Sequence, residues 1–124
     1  MLVMVVEDEP LVRMGVEGLL QELGHRTLCA TSGKDALKKL EEESGVQLVI
    51  TDFRMPGISG LDLIAHCRSL RPNIKIILMT GYSSNDHVFP EDCPIRLCKP
   101  FDISDLNNAI RLASLSEPQP SDPI

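Results

Sequence analysis

Five polar side chains in this 124-residue chain stand where apolar runs stop. Glu7 and Asp8 follow LVMVV, Asp52 follows VQLVIT, Thr80 ends IKIILMT, and Lys99 ends the run that begins IRLC. Carboxylates brought together in a poorly solvated place repel by several kcal/mol. A hard divalent cation such as Mg²⁺ would neutralise them, since it prefers carboxylate, carbonyl and water oxygens. Lys99 contributes one further positive charge and Thr80 a hydroxyl. An acidic metal site rimmed by an ammonium and a hydroxyl suits phosphoryl transfer to a carboxylate. Metal and lysine stabilise charge on the phosphoryl oxygens, and an aspartate serves as nucleophile.

These groups meet only if the runs that carry them lie side by side. Leu2 to Val6, Thr27 to Ala30, Val46 to Thr51, Ile74 to Thr80 and Ile95 to Cys98 are rich in Val, Ile and Leu and mostly lack in-out alternation. Strands buried on both faces read this way. Helical patterns separate them. Val12, Val16, Leu19, Leu20 and Leu23 form one stripe that Gly24 ends, although Gly15 and Gly18 sit inside it at a cost of about 1 kcal/mol each. Ser32 with Asp35 is a capping-box pattern opening a helix through Leu37 and Leu40 to a solvated Glu41–Glu43 end. A third helix carries Leu61, Ile64, Ala65 and Arg68 and stops before Pro72, with Arg68 and Arg71 suited to its dipole. Ser59 reads as its start. The last helix faces inward with Ile103, Leu106, Ile110 and Ala113, and Asp102 caps it.

The stretch YSSNDHVFPEDCP between Thr80 and Ile95 offers one or two helical turns at most, so the fourth helix is expected to be short or irregular. Strand-helix alternation implies an α/β fold with helices on both faces of a parallel sheet. The expected arrangement is a flavodoxin-like, doubly wound, five-stranded sheet of order 2-1-3-4-5. Such sheets bind ligands at the carboxyl ends of their strands, near the reversal of strand order. Asp52 then lies close to Asp8. One domain covers residues 1–115, with no internal repeat, and the proline-bearing tail 116–124 is expected to be disordered.

Composition narrows the function. The net charge of -6 weighs against nucleic acid and against an anionic membrane surface. The apolar start lacks a basic flank and meets acids after six residues, so it reads as a strand and not a targeting segment. No run reaches the roughly 18 apolar residues of a membrane span. Cys29, Cys67, Cys93 and Cys98 read as reduced thiols of a cytoplasmic protein. A zinc site from His87, Cys93 and Cys98 matches no standard ligand spacing. His25, His66 and His87 read as surface residues.

VVEDEP, TDFRMPGISG, MTGY and CKPF, in that order, resemble the receiver domain of bacterial two-component response regulators. The resemblance implies a signalling switch that assists its own phosphorylation and dephosphorylation without being a turnover enzyme. By that resemblance Asp52 accepts a phosphoryl group from a sensor histidine kinase or phosphotransfer protein. Asp8 and Asp52 ligate Mg²⁺, Glu7 acts on it mainly through water, and the backbone carbonyl of Arg54 supplies a further ligand. Thr80 and Lys99 hold the phosphoryl group, Met55, Pro56 and Gly57 form the adjoining loop, and Lys99–Pro100 is cis. An unidentified downstream protein reads the face of the fourth helix, fifth strand and last helix. The chain is either a stand-alone regulator or one domain of a longer one, such as a hybrid kinase.

Three departures mark a variant. Arg96 stands where the family commonly has a switching aromatic. The stretch from Thr80 to Lys99 is a few residues short, and Gly81 and Tyr82 follow Thr80. Phosphorylation is therefore expected to order the Tyr82-to-Asp92 segment instead of flipping an aromatic. Arg96 also keeps open a pseudo-receiver that binds without accepting phosphate. An aspartate-based phosphatase would need an acid two residues after Asp52, where Arg54 stands. A flavin carrier would need a phosphate-cradling loop where EDEP stands.

Overall fold

Runs of Val, Ile and Leu that are apolar on both sides can be satisfied only between two layers of helices, and the chain builds that sandwich. The computed structural model describes residues 1–53, 57–81 and 95–115. Strands β1 (Leu2–Val6), β2 (Arg26–Ala30), β3 (Val46–Asp52), β4 (Lys75–Gly81) and β5 (Ile95–Lys99) form one parallel sheet of order β2-β1-β3-β4-β5. The helices are α1 (Pro10–Glu22), α2 (Gly33–Glu42), α3 (Gly60–Leu70) and the C-terminal α4 (Ile103–Leu115). The expected short helix between Thr80 and Ile95 and the tail 116–124 lie outside the described residues.

Alternate residues of each strand feed two cores. Leu2, Met4 and Val6 pack with Ala36 and Leu40 of α2 and Leu63, Ile64 and Cys67 of α3. Val3 and Val5 face the other way, onto Val16 and Leu20 of α1 and Leu106 and Ile110 of α4. The α1 stripe is as expected, with Val12, Leu19 and Leu23 packed around its buried centre. The α3 stripe is turned from the one expected: Leu63, Ile64 and Cys67 are buried, whereas Ala65 is exposed. Leu63 and Cys67, one turn apart, bring more apolar area to the core than Ala65 and Arg68 would.

Local chemistry sets the helix ends. Ser32 Oγ accepts from the Asp35 amide and Ser59 Oγ from the Asp62 amide, so both serines are N-caps. Asp102 Oδ1 does the same for Asp105. Pro10 opens α1, where its missing N–H costs nothing. Beyond the α1 C-cap, Gly24 takes a φ of 94° that a side chain would resist.

Candidate functional site

The parallel register decides which side chains share an edge. Val6 pairs with Thr51, Asp52 with Met79, Thr80 with Cys98, and Gly81 with Lys99. Glu7 and Asp8 follow β1, Asp52 ends β3, Thr80 lies one residue before the end of β4, and Lys99 ends β5. All five therefore sit at the carboxyl edge of the sheet. β1 connects by α1 to β2 on one side, while β3 lies on its other side, so the strand order reverses at β1 and this edge is the switch point.

Glu7, Asp8 and Asp52 each offer a carboxylate oxygen to a common space, all three within 4.8 Å of one another. Lys99 Nζ lies 3.2 Å from Glu7 Oε1 and 3.1 Å from Asp52 Oδ1. Glu7 is 2% exposed, and its other carboxylate oxygen accepts from the Glu9 amide at 3.1 Å. Its burial, and then the nearby Asp52 charge, push its pKa above the usual glutamate value despite the Glu9 amide and Lys99. Lys99 moves upward too. Burial opposes its charge, but the hydrogen bond and charge of Asp52, and then Glu7, outweigh that cost. Asp52 Oδ1 also accepts from the Phe53 amide at 3.1 Å, which orients the carboxylate.

Among the described residues the candidate donors are three hard carboxylate oxygens, with the Lys99 ammonium beside two of them. That set fits a divalent cation of the Mg²⁺ or Ca²⁺ kind and not a soft metal. The Arg54 carbonyl expected as a further ligand, and Met55 and Pro56 of the adjoining loop, lie outside the described residues. Thr80 is 5% exposed, and among the described residues its hydroxyl has no hydrogen-bond partner. Buried hydroxyls are normally paired, so this one is poised for an acceptor. Lys99–Pro100 is cis.

Three residues bear on the site that sequence reasoning did not single out. Arg13 Nη1, from the first turn of α1, donates to the Glu7 carbonyl at 2.8 Å. Gly60 places its backbone against the end of β3, and a Cβ there would meet the Asp52 carbonyl oxygen at 2.7 Å and Phe53 Cα at 2.9 Å. Gly33 lets α2 approach Ile58, which lies between β3 and α3; a Cβ on Gly33 would meet the Ile58 Cβ at 2.9 Å. Their signal was faint, because it depends on three-dimensional proximity.

Other residues take quieter places. Arg96 is on the exposed side of β5 and is not without a partner. Cys29, Cys67 and Cys98 are free thiols, with burial pushing Cys29 up to about 12 and Cys67 up to about 11. His66 is exposed and His25 half-buried, while His87 and Cys93 lie outside the described residues.

Residues 3–111 match the family described as the response regulator receiver domain. The chain belongs to that family. Its two-component signalling role, as a phosphoacceptor module, follows from that membership. The chain is 36% identical over 113 residues to the sensor kinase CckA of Brucella abortus, covering 88% of this chain and 12% of that protein. It is 30% identical to the response regulator receiver protein CpdR of the same organism, covering 87% of this chain and 92% of that one. The response regulator TrrA of Thermotoga maritima, solved in complex with Mg(2+)-BeF, superposes with a TM-score of 0.80 at 32% identity, covering 90% of this chain and 97% of that one. Among the described residues no helix is long and apolar enough to cross a membrane.

Proposed function

We propose that Asp52 is the phosphoacceptor of this receiver domain, spanning residues 1–115, and that Mg²⁺ is the cation of its acidic pocket. The observation that carries the assignment is the double ion pair of Lys99. Its ammonium touches Asp52 Oδ1 and Glu7 Oε1 together, so it already stands beside the carboxylate that gains a phosphoryl group.

In the proposed reaction an Asp52 oxygen forms a bond to phosphorus as the P–N bond of a phosphohistidine breaks. The phosphoryl group leaves a sensor histidine kinase or phosphotransfer protein. Asp8, Asp52 and the Arg54 carbonyl would hold Mg²⁺, with Glu7 acting mainly through water. When bound, the ion offsets the carboxylate charge and that of the phosphoryl oxygens. Lys99 pairs with the phosphoryl group, and the Thr80 hydroxyl donates to one of its oxygens. Arg13 and Gly60 hold the two strand ends that carry the carboxylates.

The product is a changed surface and not a released compound, so the chain works as a switch in the cytoplasm. Its output face is the one around β5 and α4, read by a protein partner. The ordering of the Tyr82-to-Asp92 segment that Arg96 suggests lies outside the described residues.

Incubation with acetyl phosphate and Mg²⁺ followed by intact mass tests the reading. Wild type gains one phosphoryl group, roughly 80 Da, and Asp52→Asn gains none. No gain in wild type, with Mg²⁺ present, would identify a pseudo-receiver instead.

A further inference from the structure

We propose that Arg13 is a positioning residue for the cation site: its guanidinium, by holding the Glu7 carbonyl, fixes the direction in which Asp8 offers its carboxylate. The proposal rests on the pocket binding a divalent cation, as argued above.

Every polar group of Glu7 has a partner. Its amide donates to the Ala30 carbonyl at 3.1 Å, extending the β1–β2 ladder by one residue. Its carboxylate oxygens accept from Lys99 and from the Glu9 amide. Its carbonyl has passed the end of the ladder and accepts from Arg13 Nη1 at 2.8 Å. A charged donor makes such a bond stronger than a neutral one.

The Glu7 carbonyl and the Asp8 amide and Cα share one rigid peptide plane. Fixing the oxygen therefore fixes where Asp8 begins. Asp8 needs that help. It is the exposed member of the three carboxylates. Glu9, which follows it, makes no side-chain cap on α1, and Pro10 has no N–H to offer. Arg13 sits in the helix that the turn leads into, so its bond closes the turn from β1 to α1.

Two effects of removing Arg13 have opposite sign. Loss of a nearby positive charge alone would strengthen cation binding, whereas loss of the carbonyl clamp would weaken it. Outer-shell partners of metal sites are worth roughly 10- to 100-fold in affinity. The clamp is therefore expected to dominate.

The experiment titrates MgCl₂ into the uniformly ¹⁵N-labelled 124-residue chain, following backbone amide shifts, and measures amide exchange of Asp8 and Glu9 without metal. Arg13→Met keeps the aliphatic stem but loses the donor. It is expected to bind Mg²⁺ about tenfold more weakly and to exchange both amides faster in the absence of metal. Arg13→Lys keeps a charged donor and is expected to recover most of both. Unchanged or tighter Mg²⁺ binding by Arg13→Met, with unchanged exchange, overturns the assignment. Equal losses in the Met and Lys variants overturn it too, because a merely structural side chain gives no rescue. Failure of wild type itself to bind Mg²⁺ marks failure of the cation reading, distinct from failure of the clamp. Should Arg13→Met not fold, Arg13→Gln, which keeps an N–H donor on a shorter stem, is expected to fall between wild type and the tenfold loss. Wild-type affinity in that variant overturns the assignment.

Discussion

Lys99 Nζ stands 3.1 Å from Asp52 Oδ1 and 3.2 Å from Glu7 Oε1, one ammonium joining carboxylates at the ends of two neighbouring strands. Among the described residues it is the cation paired directly with the Glu7 and Asp52 carboxylates. Lys99→Met leaves buried Glu7 facing Asp52 without compensation. Breaking a buried pair costs about 3–5 kcal/mol. The Lys99 side chain keeps 27% of its exposure, so a loss of about 2 kcal/mol is expected. Urea unfolding in EDTA measures it. Saturating Mg²⁺ should close part of the gap, because the variant's more negative site binds the cation more tightly than wild type does and so gains more stability from it. A variant as stable as wild type without metal would show that the pair contributes nothing.

The same pair sets an alkaline limit. The folded state holds the Lys99 proton more tightly than the unfolded chain does, above the ordinary value of 10.5. Its contribution is therefore complete below that value and fades as pH rises through the raised folded pKa. Glu7 has the opposite sign: its raised pKa penalises the ionised folded state, and the penalty lifts as pH falls through that pKa towards 4.5. The stability difference between wild type and Lys99→Met, measured without metal, is expected to be flat near neutrality and to shrink above about pH 10.5. A difference that grew with pH there would contradict the pairing.

Glycines at helix positions should divide sharply. A Cβ on Gly60 meets three backbone atoms of the Asp52–Phe53 segment, at 2.7 Å from the Asp52 oxygen, 2.9 Å from Phe53 Cα and 3.0 Å from the Phe53 oxygen. Backbone cannot rotate away as a side chain can. Gly60→Ala is expected to cost about 2 kcal/mol and to slow acetyl phosphate labelling by displacing the end of β3. Gly15 and Gly18 in α1 have nothing within 4 Å of a built Cβ. Alanine at either should stabilise by about 1 kcal/mol and leave labelling unchanged. Thermal unfolding of the three variants, each assayed by intact mass, checks both halves.

Those glycines also show where sequence reading stops. The three inner strands, β1, β3 and β4, were legible because burial on both faces leaves Val, Ile and Leu runs that few other environments tolerate. Ser32, Ser59 and Asp102 were legible because a cap acts over three residues of the same chain. Glu7, Asp8, Asp52, Thr80 and Lys99 could be gathered because the strand order brings strand ends together whatever the loops do. Gly60, Arg13 and Arg71 were not legible in that way. A close backbone approach leaves no periodic trace, and Arg13 looks like any charged residue in a helix. Gly15 and Gly18, puzzling in the sequence, remain without a packing reason.

Arg71 is the clearest non-local case. Its position suggested service to the α3 dipole, and it is indeed the α3 C-cap residue. Its guanidinium, however, crosses to α2 and donates to the Leu40 and Glu43 carbonyls, and also to the Val46 carbonyl at the start of β3. It thus satisfies carbonyls that the last turn of α2 leaves open. A planar fork can serve several acceptors at once, whereas an ammonium is a point donor. Bonds to a charged donor are worth about 1.5–3 kcal/mol, and the partly exposed site places Arg71→Ala near 2 kcal/mol destabilising. Arg71→Lys should recover less than half. Amide exchange should quicken across the C-terminal half of α2 in both variants while α1 stays as in wild type. Uniform exchange changes across the four described helices would mean that Arg71 supports the fold as a whole and does not clasp α2 to the strand that carries Asp52.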